Sequence, residues 1–338
     1  MIKDLTLFFF IFLFFCQFLS FIFKKNLVLV DQKILPHKLF TSDKAVPLIG
    51  GVLILVVTLF YLPSSFLLKI SFILIFFIGF FSDIFLLKKP SSKFLLQLLV
   101  IFFTIFYTSD LRVIVTKIPY LDYLLRTELI NIFFTLFCFL ILINGSNFID
   151  GLNTLCCGYY LLIISIIFYI QSKNLITIDT ISYSYLLLAL LIIYFYNFFS
   201  KIYLGDSGSF LISFIVGIFL INITNNNKLI SPIFIVLLLW YPAFENLFSI
   251  IRKLFFKINP SIPDSKHLHQ LIFINLKKNI NNKFLANTLS ANLINFYNLS
   301  IFFFSAEFFY HTKYLTILIL INIFFYLAIY LFIYKKNY

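Results

Sequence analysis

Nearly uncharged apolar runs recur along the whole chain, near residues 5–23, 46–62, 67–87, 94–107, 129–146, 154–171, 183–199, 208–222, 230–251, 285–308 and 314–334. A helix of about 20 such residues crosses a hydrocarbon core, and a helix satisfies its own backbone hydrogen bonds there. The runs therefore predict an all-α, polytopic integral membrane protein with ten or eleven transmembrane helices. Composition agrees: 62% of the 338 residues are hydrophobic and 12% charged, where a soluble domain carries roughly 45–50% and about 25%. A water-soluble fold of this size cannot hide so much apolar surface. No internal repeat, domain boundary or linker interrupts the series, so residues 1–338 read as a single transmembrane domain. The run 5–23 ends in Lys24-Lys25 and lacks a small-residue cleavage pattern, so it reads as a retained first helix rather than a leader.

The formal charge is +13. Nucleic acid is not the partner this implies, because the basic residues stand singly or in pairs at the ends of apolar runs and not along an amphipathic face. Eleven crossings put alternate connections on opposite sides. One side collects Lys24, Lys25, Lys33, Lys38 and Lys44, then Lys88, Lys89 and Lys93, then Lys201, then Arg252, Lys253, Lys257, Lys266, Lys277, Lys278 and Lys283, and finally Lys335 and Lys336. The positive-inside rule makes that side cytoplasmic, with the amino terminus outside and the carboxyl terminus inside. The opposite connections are short except 108–128, where Val113, Ile114 and Val115 could pair as a small hairpin. The four cysteines lie in or beside apolar runs without paired spacing, and read as buried thiols.

The same topology puts the unusual polar clusters on the cytoplasmic side. Six of the nine glycines fall in VPLIGG (46–51), NGSNFIDGLN (144–153) and LGDSGS (204–209). Glycine beside Asp, Asn and Ser marks a place where backbone can approach a polar ligand. Asp83, Asp150 and Asp206 each stand at the cytoplasmic end of an apolar run. Carboxylates so close to lipid need partners. A solvated or lysine-paired state serves any one of them; for three converging beside glycine motifs, a divalent cation with oxygen ligands, Mg2+ or Mn2+, is the better partner. In the last large loop, Arg252, Lys253, Asp264, Lys266, His267 and His269 form a basic group able to hold a phosphate or diphosphate, or to lie against anionic lipid. His267 and His269 are two residues apart, which an extended or turned loop can aim at one site. His37 and Lys38 precede the Gly50-Gly51 pair in the first loop.

Five stretches, in this order, resemble the polyprenyl-phosphate N-acetylhexosamine-1-phosphate transferases, glycosyltransferase family 4: DQKILPHKLFTSDKAVPLIGG (31–51), GFFSDIFLLKKPSSKFLLQ (79–97), NGSNFIDGLNTL (144–155), KIYLGDSGSF (201–210) and RKLFFKINPSIPDSKHLHQL (252–271). The bacterial undecaprenyl-phosphate GlcNAc-1-phosphate transferases are the more similar branch. The resemblance implies that undecaprenyl phosphate attacks the sugar-bound phosphate of a UDP-amino sugar, releasing UMP and leaving a lipid-diphosphate sugar that begins a surface glycan such as O antigen or a capsule. It implies Mg2+ held by Asp206, catalytic roles for Asp83, Asp150, His267 and His269, and substrate contacts from Lys38, Gly50, Gly51, Asn144, Asn147, Asn153, Arg252 and Lys266. It is compatible with a homodimer in the bacterial inner membrane. The histidine pair favours UDP-HexNAc over a larger pentapeptide donor.

Three positions depart from the family pattern. Ser82-Asp83 stands where paired aspartates are usual, Asn153 where a second aspartate often follows Asp-Gly, and Glu245 where an aspartate is expected. An acceptor-deprotonating role for the first carboxylate therefore does not carry over. The same chemistry on another UDP-sugar, GalNAc or a 6-deoxy HexNAc, stays open, because hydroxyl epimers differ by a few hydrogen bonds. A transporter or flippase would place broken helices and charges in corresponding halves near mid-bilayer; here the acidic motifs gather at one face.

Overall fold

A computed structural model describes residues 2–26, 46–260, 262 and 264–337. Lys38, a sequence-predicted substrate contact, lies outside them. Among the described residues the helices are α1 (Ile2–Asn26), α2 (Gly50–Tyr61), α3 (Phe66–Asp83), α4 (Pro90–Tyr107), α5 (Pro119–Leu124), α6 (Glu128–Ile149), α7 (Leu155–Ser172), α8 (Thr180–Phe198), α9 (Gly205–Asn226), α10 (Pro232–Leu238), α11 (Trp240–Phe255), α12 (Leu268–Asn279), α13 (Lys283–Ala306) and α14 (Thr312–Asn337). Eight are long and apolar enough to span a bilayer by themselves, namely α1, α3, α4, α6, α7, α8, α9 and α14, and the pair α10–α11 makes a ninth, bent span. The chain is a multi-pass membrane protein.

The eleven apolar runs each correspond to a helix or to the bent pair, but two fall short of a simple span. Helix α2 has 12 residues, about 18 Å at 1.5 Å per residue, because the chain before it is extended: Tyr203 donates to the Pro47 carbonyl, and Gly50 and Gly51 donate to the carbonyls of Tyr203 and Leu204. Helix α13 is long, but its buried face carries Asn287, Asn295 and Asn298. Buried amides in a membrane need partners, and each of these finds at least one: Asn287 accepts from the Asn153 N–H, Asn295 donates to the Thr154 carbonyl although its Oδ1 meets no donor among the described residues, and Asn298 accepts from the Trp240 indole.

The run 230–251 breaks at Leu239 with a bend of 70°. Pro242 is the cause. Its ring would meet the carbonyl four residues back and it has no N–H to give, so the Leu238 carbonyl loses its helical partner. The Tyr159 hydroxyl donates to that carbonyl at 2.8 Å and accepts from the Tyr241 N–H at 3.3 Å. The break is thus repaired by a buried side chain from α7.

Helix α9 is the hub. Of its apolar window 83% is buried, against 17% for α1, and it packs on α2, α3, α6 and α7. The proposed hairpin at 113–115 is absent. A short 3-10 turn (Ser109–Leu111) and α5 fill the connection instead, and the Val113 backbone is tied to α6, its N–H to Thr135 and its carbonyl to Asn131.

Candidate active site

The starts of α2, α4 and α9 and the ends of α3, α6, α8, α11 and α14 share one end of the bundle. There Asp83, the last residue of α3, faces the first turn of α9. Its Oδ1 accepts from the Asp206 N–H at 2.8 Å, and its Oδ2 accepts from the Ser207 N–H at 3.1 Å and the Ser207 hydroxyl at 2.7 Å. A carboxylate at a helix N-terminus fills orphan N–H groups and meets the positive end of the dipole. Asp83 therefore acts as a cap supplied by another helix. Gly205 allows the approach: its φ is +74°, and a Cβ there would lie 2.7 Å from Oδ2 of Asp83. That region is costly for other residues.

The clamp aims Asp206 outward. Its Oδ2 accepts from the Ser82 hydroxyl at 2.5 Å and from the Lys93 ammonium at 3.0 Å. No donor among the described residues reaches Oδ1, and the Asp206 and Lys93 side chains are 26% and 23% exposed. Mg2+ is commonly held by one or two carboxylates together with water and phosphate oxygens. The donor set fits such an ion held by Asp206 alone. Asp83 does not fit as a ligand, since three donors already occupy it. Among the described residues no group of three or more His, Cys, Asp or Glu side chains is arranged to hold a metal, so the expectation of three carboxylates converging on one cation is corrected.

Asp150 stands elsewhere, at the end of α6, with the histidines. A Cβ on Gly151 would lie 3.0 Å from Nε2 of His269, so the Asp150-Gly151 turn rests on that imidazole. His267 and His269 open α12 rather than an irregular loop, with rings nearly parallel and centroids 5.6 Å apart. Glu245, fully buried on α11, joins them: Nδ1 of His267 donates to its Oε2 at 2.9 Å, the Leu268 N–H donates to Oε1 at 3.1 Å, and Nδ1 of His269 is 3.9 Å from Oε1. Phe148 packs on the His267 ring. Among the described residues neither ring nitrogen of His269 has a hydrogen-bond partner, and burial holds this imidazole below its ordinary range.

Helix α6 links the two clusters. Asn144, Asn147 and Asp150 are three residues apart and share a face. Asn144 donates to Gln97 of α4 at 3.0 Å, and Asn147 accepts from the Ser209 hydroxyl of α9 at 3.3 Å.

Other sequence-predicted contacts are committed to the fold. Gly50 and Gly51 let α2 meet α9; a Cβ on Gly51 would lie 2.5 Å from the Ser207 hydroxyl. Asn153 donates to Ser200 at 2.6 Å and its N–H is held by Asn287. Arg252 donates to Tyr330 at 2.8 Å, to Asp264 at 2.7 Å and to the Lys266 carbonyl, so it fastens α14 and the histidine loop instead of facing open space. The Lys266 ammonium lies 5.6 Å from the centroid of the Tyr334 ring. Lys93 was not among the predicted site residues. Its place beside Asp206 depends on a contact between residues 113 apart in sequence, which no local pattern carries.

Residues 65–224, which hold the Asp83–Lys93–Asp206 cluster and the α6 stripe, match Glycosyl transferase family 4. Over that stretch, a little under half of its length, the chain is similar to this family. Among its relatives is a probable undecaprenyl-phosphate N-acetylglucosaminyl 1-phosphate transferase of Bacillus subtilis (strain 168), 31% identical over 129 residues, 37% of this chain and 36% of the relative. The chain thus aligns with about a third of that protein. An undecaprenyl-phosphate alpha-N-acetylglucosaminyl 1-phosphate transferase of Thermotoga maritima is 26% identical over 255 residues, 74% of this chain and 75% of the relative. The family 4 match ends before Glu245, His267 and His269, whereas the clamp on α9 lies wholly inside it.

Proposed function

We propose that this protein is a family 4 glycosyl transferase that transfers a HexNAc-1-phosphate, GlcNAc-1-phosphate foremost, from a UDP-sugar to undecaprenyl phosphate at the cytoplasmic face of a bacterial inner membrane. The observation that carries the reading is Asp206, fixed at the start of α9 with one carboxylate oxygen that no donor among the described residues reaches and Lys93 at its side. A carboxylate and an ammonium at the mouth of a helical bundle suit a reaction between two phosphates, one of them on a lipid. The names of the two relatives support undecaprenyl phosphate as acceptor and N-acetylglucosamine as sugar.

In this reading an acceptor phosphate oxygen attacks the sugar-bound phosphorus, and the bond from that phosphorus to the bridging oxygen breaks as UMP departs with the electron pair. Mg2+, or Mn2+, on Asp206 would offset charge on the phosphate oxygens. Lys93, held beside Asp206, supplies a positive charge that reduces repulsion between the two anions. The start of α9 is held rigid by Asp83. The turn at Asp150 and Gly151, seated on His269, forms the wall on the nucleotide-sugar side. No base is required of Asp83, since a phosphate monoester is largely ionised near neutral pH.

The test uses purified protein with undecaprenyl phosphate, Mg2+ and separate UDP-GlcNAc, UDP-GalNAc and 6-deoxy UDP-HexNAc, following UMP release and lipid-diphosphate sugar together. Turnover with UDP-GlcNAc that is lost in Asp206→Ala is expected. Folded protein that releases no UMP from any donor would sink the proposal; turnover with a different donor would change only the sugar.

A further inference from the structure

Ser82 occupies a place where a second carboxylate is the usual family residue, and the geometry shows what its hydroxyl does there. Ser82 is buried, and its Oγ donates to the same oxygen of Asp206 that receives Lys93. The other end of Asp206 is fixed through its backbone N–H on Asp83. Oδ2 is thereby held twice, and no donor among the described residues reaches Oδ1. An aspartate at position 82 could not donate this bond. It would put a like charge against Asp206 and compete for Lys93.

We propose that Ser82 is a positioning residue for Asp206: its hydroxyl, with Lys93, fixes Oδ2 so that Oδ1 faces a divalent cation, at the cost of one negative charge near that cation. The proposal rests on the reading of Asp206 as the metal-binding carboxylate. Two consequences have opposite signs. Removing the hydroxyl frees the carboxylate to rotate and weakens cation binding. Replacing it with a carboxylate adds negative charge beside the ion and strengthens binding.

The experiment measures Mn2+ binding to the full chain in detergent with saturating UMP, by loss of the free-ion EPR signal, with no turnover involved. Ser82→Ala is expected to weaken binding roughly threefold to tenfold, and Ser82→Asp to tighten it about tenfold. A purely structural Ser82 would weaken binding in both variants, and that result, or no change in either, overturns the proposal. Thermal midpoints recorded on the same samples show whether each variant is folded; should Ser82→Ala be unfolded, the sign of the Ser82→Asp change decides. Asp206→Ala separates the two levels of argument. Binding lost in Asp206→Ala but unaffected by Ser82 changes rejects the positioning role and leaves the metal reading intact. Unchanged binding in Asp206→Ala, or none in the unsubstituted chain, rejects the metal reading and the proposal with it.

Discussion

Asp83 receives three donors from the first turn of α9, two of them backbone N–H groups that the helix cannot satisfy for itself. Asp83→Asn keeps the shape but turns an amide NH2 toward a donor and removes the charge. Hydrogen bonds to charged groups contribute about 1.5–3 kcal/mol each, and an unmet donor costs a similar amount. The expected loss is roughly 2–3 kcal/mol of stability together with a large loss of turnover, read from thermal midpoint and UMP release; an unchanged midpoint would mean the clamp is not needed. His269 gives a prediction in pH. Burial disfavours its charged form, so its folded value lies below the ordinary 6.5, and the unfolded chain binds the proton first as pH falls. Stability is therefore full above about 6.5 and declines as pH drops from there through the lower folded value. Glu245 and His267 face the same ring, so the slope belongs to the cluster. His269→Gln should flatten the decline in thermal midpoint between neutral and mildly acid pH; a slope identical to that of the unsubstituted chain would remove His269 as its source.

At the scale of elements, one side chain joins the loops that carry Asp150 and Asp206. Asn197, buried near the end of α8, accepts from the Thr154 N–H and donates to the Ile202 carbonyl at 2.9 Å. Thr154 has φ +68°, a strained turn that such a bond helps to hold. Asn197→Ala leaves both backbone groups without this partner. Turnover is expected to fall by about tenfold to a hundredfold, because small misplacements at a reacting centre are costly. Asn197→Asp keeps the acceptor for Thr154 but opposes an oxygen to Ile202, so it should lose turnover while unfolding at a higher temperature than Asn197→Ala. Equal midpoints for the two would show that the Thr154 bond carries no stability. This joint explains what could be read in sequence. Apolar runs located all eleven segments, and the polar motifs located both ends of the Asp83–Asp206 pair. Which residues meet was hidden, since Ser82 and Asp206 are 124 positions apart. Pro242 was a visible sign of the α10–α11 break, but its repair by Tyr159 is tertiary. Arg252 and Asn153 looked available because a motif shows residue type and not the partners that already occupy it.

Across the whole molecule the two ends differ in kind. The end with the candidate site gathers Asp83, Lys93, Asp206, Glu245, His267 and His269. The opposite end holds short connections fastened to one another: Lys173 pairs with Glu307 at 2.7 Å, Asn227 accepts from the Thr177 N–H, Asn225 donates to the Arg112 carbonyl, and the Ser231 N–H donates to the Phe309 carbonyl. This division follows from alternation of spans only if α2 crosses despite its length and α10–α11 counts as one crossing, which leaves the amino and carboxyl termini at opposite ends. The basic excess near the site end then sets orientation. Lys228 is exposed at the fastened end and Lys336 at the site end, and the native cysteines lie within α1, α6 and α7, which leaves them as background. In intact spheroplasts a membrane-impermeant thiol reagent is expected to label Lys228→Cys and to reach Lys336→Cys only after permeabilisation. The reverse pattern would put the candidate site on the outer face, away from the cytoplasmic nucleotide-sugar that the proposed reaction consumes. Labelling of both in intact spheroplasts would show that the termini share a side, and α2 would then have to enter and leave the bilayer on the same face.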